Sequence, residues 1–113
     1  MNQAIVFLLL ILFGWTSSFA QNKSSLRITG KITDDATSKA VEYASVGLTD
    51  QLTNKVISGA VTNSIGTFEI NGLYPGTFTL NIDFIGYEKK TVKDIAIGVG
   101  DKLLDLSNIS LTQ

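Results

Sequence analysis

Two carboxylates stand side by side at Asp34-Asp35, and clustered carboxylates are what a hard cation such as Ca²⁺ takes. The spacing of a ligand loop stops there. Ala36 and Thr37 follow with no later glutamate in register, so the pair reads as part of a solvated loop. Glu69 and Asp83 offer a second pair, of the kind glycoside hydrolysis needs at a fixed separation. Both occupy polar positions of alternating segments and are expected to face water. Ser17, Ser18 and the other serines have no histidine to take up a proton. Lys89, Lys90 and Lys93 form a small basic cluster that reads as an edge-protecting device, not an anion site.

The residues left for recognition are apolar and aromatic. In Gly86-Tyr87, glycine lets the chain bend at a strand end, and the tyrosine is expected to pack its ring and leave its hydroxyl wet. A stacking platform for a sugar ring or peptide is the alternative use of Tyr87, with Tyr43 and Tyr74 as companions. Ile65, apolar at a hairpin tip, is a candidate contact to a neighbouring domain. Tyr74, Tyr87 and Ile65 therefore make up the candidate binding surface.

Composition narrows the chemistry further. The 113 residues include no cysteine and no histidine, and nine basic side chains oppose ten acidic ones for a net charge of −1. Histidine is the usual base near neutral pH and the commonest metal ligand. Without cysteine there is no thiol nucleophile, disulfide, thiolate metal site or lipid attachment point. A nucleic-acid surface needs several basic residues on one face, and none is clustered so. The expectation is a non-enzyme with no cofactor, no metal and no nucleic acid.

The first twenty residues differ from the rest. Ala4 to Phe13 is an unbroken apolar run, and Ser18 and Ala20 place small residues where signal peptidase cuts, between Ala20 and Gln21. That run is short for roughly 30 Å of hydrocarbon. The n-region Met1-Asn2-Gln3 lacks Lys or Arg, and an uncleaved anchor is the alternative. Trp15 belongs to this leader. Residues 1–20 are thus read as a signal peptide, 21–25 as a short polar leader and 26–113 as one exported domain.

These few side chains would be positioned by strands. Bulky residues recur at every second position in Leu26 to Thr33, Glu42 to Thr49, Thr67 to Ile70, Phe78 to Phe84, Lys89 to Ile97 and Lys102 to Leu111. Lys55 to Thr62 makes another strand, with Gly59 marking a bulge. Asp34 to Lys39 and Asp50 to Asn54 are polar loops. Asn63-Ser64-Ile65-Gly66 closes a hairpin, with Asn63 capping its own backbone and Gly66 left-handed. Tyr74-Pro75-Gly76 has the makings of a type II turn, with Gly76 at positive φ. No helical period and no internal repeat is found after the leader. Seven strands and no staple point to an all-β, antiparallel sandwich.

Several segments in order complete a pattern: Ile28-Thr29-Gly30-Lys31-Ile32-Thr33-Asp34, Ala44-Ser45-Val46-Gly47-Leu48, Gly59 to Ile70, Pro75 to Leu80, Phe84-Ile85-Gly86-Tyr87 and Leu106 to Leu111. Over about residues 26 to 112 the chain resembles the carboxypeptidase-regulatory-like domain, a transthyretin-like sandwich. That family usually has Thr-Asp where this chain has Thr62-Asn63, and asparagine serves the turn equally well. The resemblance implies a module similar to the one that follows the signal peptide of TonB-dependent outer-membrane receptors, ahead of plug and barrel. It implies a non-catalytic role, an outer-membrane barrel or other cell-envelope protein as partner, and membrane association only through an attached barrel or an uncleaved leader. A free-standing, secreted ligand binder, for carbohydrate for instance, is the alternative.

Overall fold

The computed structural model describes residues 26–113. The leader, the expected cut between Ala20 and Gln21, and residues 21–25 lie outside the described residues. Seven strands follow in order: β1 Leu26–Asp34, β2 Ser45–Asp50, β3 Val56–Val61, β4 Thr67–Leu73, β5 Gly76–Asp83, β6 Lys90–Ile97 and β7 Leu103–Leu111. They form a three-stranded sheet, β4-β1-β7, facing a four-stranded sheet, β3-β2-β5-β6. Each sheet buries one face against the other, as the alternation requires. Ile28, Ile32, Ile70 and Leu111 come from one side, and Val46, Leu48, Leu80 and Ile82 from the other. The all-β, seven-stranded sandwich expected from the sequence is what the chain forms. One pair departs from antiparallel order: β7 runs parallel to β1, with Ile32 beside Ile109.

Three edge strands share one irregularity. Inward residues are three apart instead of two in β4 (Ile70, Leu73), β6 (Val92, Ile95) and β7 (Leu106, Ile109). A left-handed residue absorbs the extra position each time: Gly72 at φ 70°, Asp94 at 61° and Ser107 at 59°. These are β-bulges, which restore the buried face and twist an exposed edge away. At Asp94 the strain is held by a two-way clamp. The Gln51 side-chain amide donates to Asp94 Oδ1 at 2.7 Å, and Asp94 N–H donates to Gln51 Oε1 at 2.8 Å.

Four local expectations need correction. Asp34 is the last residue of β1 and is buried, instead of lying in a solvated loop. Glu42 and Tyr43 stand outside β2, because Tyr43 takes φ 66° and turns the chain. The β2–β3 register shifts at Ile57 instead of Gly59, which lies opposite Gly47. A side chain at Gly59 would come within 3.2 Å of the Val46 carbonyl oxygen, so close approach accounts for that glycine. The positive φ near Pro75 belongs to Gly72, while Gly76 begins β5 in extended form.

Candidate functional site

Topology sorts the loops into two ends. β2 begins at Ser45 beside Asp83 and finishes at Asp50 beside Phe78. The loops after β1 and β5 and the β3–β4 hairpin therefore share one end with the chain's last residues. The β2–β3 loop, the β4–β5 link and the β6–β7 loop share the other. Tyr43 and Ile65 lie at the first end and Tyr74 at the second, all well exposed. The candidate surface of Tyr74, Tyr87 and Ile65 is thus divided between opposite ends of the sandwich.

Tyr87 is held by structure. Its ring packs beside Phe84 at 5.9 Å between centroids, and its hydroxyl donates to Asp34 Oδ2 at 2.9 Å. The hydroxyl expected to be wet is therefore bonded. Gly86 bends the chain just before it, at φ 92°. The same end is closed by the tail, where Glu88 N–H donates to the Thr112 carbonyl and the Thr112 hydroxyl donates to Asp35.

Asp34 has its other oxygen in use as well. Oδ1 accepts the N–H groups of Ala36 and Thr37 at 2.8 and 2.9 Å. The Thr37 N–H first, then the Tyr87 hydroxyl, hold its carboxyl below the usual carboxylate value, against the opposing effect of burial. Asp50 does the same at the other end, accepting from Leu52 and Thr53 at 2.9 and 3.0 Å, with its carboxyl lowered by Thr53 and then Leu52.

The two loops are one device used twice. Asp34-Asp35-Ala36-Thr37-Ser38-Lys39 and Asp50-Gln51-Leu52-Thr53-Asn54-Lys55 share Asp, Thr and Lys at the same spacing. In each, the Asp N–H donates to the Lys carbonyl and the Asp carbonyl accepts from the fifth residue. That fifth residue is left-handed both times, Ser38 at φ 61° and Asn54 at 59°. Each Thr hydroxyl accepts its Lys N–H. Aligning the two polar loops by their aspartates reveals this in the sequence, although a search for strand-length repeats passes over it. Asp34 is thus a turn-forming residue, and no group of three or more metal-ligating side chains occurs among the described residues.

Glu69 and Asp83 belong to different sheets, and each has its own cation. Arg27 lies 3.4 Å from Glu69 and Lys89 lies 3.9 Å from Asp83, both pairs well solvated. Lys90 and Lys93 are exposed on edge strand β6. Thr62, which the sequence marks only as the residue before the Asn63 turn, is buried. Its hydroxyl donates to the Val41 carbonyl at 2.6 Å and accepts the Ala44 N–H at 2.8 Å, locking the turn that holds Tyr43. One hollow, about 710 Å³, is lined by Thr29, Lys31, Phe68, Glu69, Asp105 and Asn108 among others. It presents hydroxyls, amides and charges, but no exposed aromatic platform.

The pattern of the carboxypeptidase regulatory-like domain matches residues 27–112. No curated protein matches the chain. Among solved structures it is similar to a type II cohesin–X-dockerin complex from Acetivibrio cellulolyticus, at 25% identity and TM-score 0.53, covering 74% of this chain and 52% of that one. It is also similar to the pilus 2b backbone protein of group B streptococcus, at 22% identity and TM-score 0.55, covering 77% and 40%. A third likeness is to a candidate carbohydrate-binding protein from Bacteroides uniformis, at 17% identity and TM-score 0.56, covering 77% and 41%. The chain spans about half or less of each. With the sandwich, the Asn63–Gly66 hairpin and the closing strand β7 in their expected order, this chain belongs to the carboxypeptidase regulatory-like domain family.

Proposed function

We propose that this chain is a non-catalytic, periplasmic interaction module of a TonB-dependent outer-membrane receptor or related barrel system. Family membership over residues 27–112 is the observation that carries the reading. The disposition of side chains supports it. Carboxylates that could do chemistry are occupied by turns and ion pairs, whereas large apolar side chains stand exposed at loop tips. Tyr43, Ile65 and Ile85 project at one end, and Leu52, Tyr74 and Val99 at the other. Exposed at the loop tips, these side chains are free to meet a neighbouring protein domain. The carbohydrate reading needs its tyrosines on one surface, and Tyr43 and Tyr74 lie at opposite ends while Tyr87 is tied to Asp34. The coding sequence downstream tests the proposal. A plug and barrel in the same frame, or in the adjacent gene, is expected. An immediate stop followed by unrelated genes counts against it.

A further inference from the structure

The four sheet edges are protected unequally. β4, β6 and β7 each carry a left-handed bulge residue and a charged side chain, Glu69, Lys93 and Asp105 among them. β3 has neither. Val56-Ile57-Ser58-Gly59-Ala60-Val61 contains no charge, no proline and no positive φ, and its outer backbone groups face away from β2. Val56 is 78% exposed, Ile57 46% and Val61 59%. From Ser58 to Val61, beyond the register shift at Ile57, the strand pairs regularly with β2, and an uncharged, aliphatic edge of this kind is a template for another strand.

We propose that β3 is a homodimer seam, pairing antiparallel with β3 of a second copy about a two-fold axis through Gly59. A two-fold axis normal to the sheet keeps each side chain on its own face. Opposed residues in an antiparallel pair also share a face, so the axis falls on a residue instead of between two. Ser58 and Ala60 are the half-buried members of β3, and Ile57, Gly59 and Val61 the exposed ones. Centring on Gly59 sets Ser58 opposite Ala60 of the partner subunit and Ile57 opposite Val61 of the partner subunit. Gly59 meets its own copy where a side chain would crowd the axis.

The segment reads aliphatic, small, glycine, small, aliphatic, which is self-complementary about that point. Centring on Ser58 would instead set Ile57 against glycine and lose the aliphatic pair. Because the strand is uncharged, two copies meet without like charges, the penalty that would fall on β6 with its lysines. The two four-stranded sheets then become one of eight strands, ordered β6-β5-β2-β3 and its mirror sequence in the second copy. This surface stands apart from the loop tips, so the seam does not depend on the barrel reading.

The absence of native cysteine makes the register directly testable in the full chain. Ile57→Cys and Val61→Cys are prepared separately, mixed and oxidised. A disulfide-linked dimer is expected in the mixture and not in either variant alone, where like positions lie about 13 Å apart, four strand residues. No cross-link in the mixture, or equal cross-linking in each variant alone, overturns the proposal. In sedimentation, the wild-type chain is expected at twice the mass of a single copy and Val61→Lys at once that mass with its β spectrum intact. A monomeric wild-type chain overturns the seam as well, and the cysteine mixture decides the register whether or not Val61→Lys folds.

Discussion

The Tyr87 hydroxyl lies 2.9 Å from Asp34 Oδ2 and joins the loop after β5 to the end of β1, across 53 residues of sequence. The contact spans both sheets, because β1 belongs to one and β5 to the other. Each partner could have served recognition, and each is occupied in holding one end of the sandwich shut. Tyr87→Phe keeps the ring beside Phe84 and removes this bond, together with the longer one the hydroxyl accepts from Gln113 Nε2 at 3.4 Å. Its urea midpoint is expected to fall with an unchanged m-value, whereas a ligand platform would lose binding at constant stability.

Acid should weaken the fold through two aspartates. Asp34 and Asp50 have folded-state carboxyls below their ordinary value of 3.8. The unfolded chain therefore takes up protons first as pH falls, and the stabilisation present above pH 3.8 is lost as pH drops through the folded values. Denaturation midpoints measured from pH 5 downwards should decline below about pH 4. The double variant Asp34→Asn, Asp50→Asn keeps an acceptor oxygen at both turns and should show a shallower decline.

Thr62 is expected to be the costliest polar residue to change. Thr62→Val keeps the shape but strands the Val41 carbonyl and the Ala44 N–H in a buried site. The loss should be about 2–4 kcal/mol by denaturant titration, from two unsatisfied backbone groups. Thr62→Ser should recover most of it.

Two left-handed glycines should respond differently to alanine. At Gly66, φ is 78° and an added Cβ would lie 2.5 Å from the Ile32 carbonyl oxygen. At Gly86, φ is 92° and nothing lies within 4 Å. Gly86→Ala pays only for backbone conformation, about 1–2 kcal/mol. Gly66→Ala adds a clash with backbone that is itself hydrogen-bonded to Gly66, and should cost about 3 kcal/mol or more. Thermal melts of the two variants separate the cases.

Most of the fold was legible because two-residue alternation is a strong signal when one face is buried. Leu26, Ile28 and Ile32 in β1, and Val46 and Leu48 in β2, are buried as the pattern required. The Asn63–Gly66 hairpin was equally readable, since Asn63 Oδ1 does accept from Ile65 and Thr67 and Gly66 is left-handed. What stayed hidden depends on contacts between distant segments. The parallel course of β7 beside β1, the Gln51 clamp on Asp94 and the Thr62 lock on Val41 and Ala44 leave no local trace. Two-residue alternation through Tyr43, Ser45 and Gly47 extends β2 to Glu42 on paper, but Tyr43 is left-handed and its N–H donates to the Thr62 carbonyl, so the strand starts only at Ser45. The candidate surface of Ile65 and Tyr74 fails for a reason the sequence already carried, because the two residues flank a single strand, β4, which sets them at opposite ends of the sandwich.

The central claim, that this domain works through its outer surface on an envelope protein, is tested most directly by photo-cross-linking in the native cell. A benzophenone amino acid replaces Ile65 in one strain and Tyr74 in another, both exposed and both outside the core. The account predicts an adduct with an outer-membrane barrel protein from at least one position, identified by mass spectrometry. No protein adduct from either position, together with saturable sugar binding or hydrolase activity of the purified chain, would contradict it.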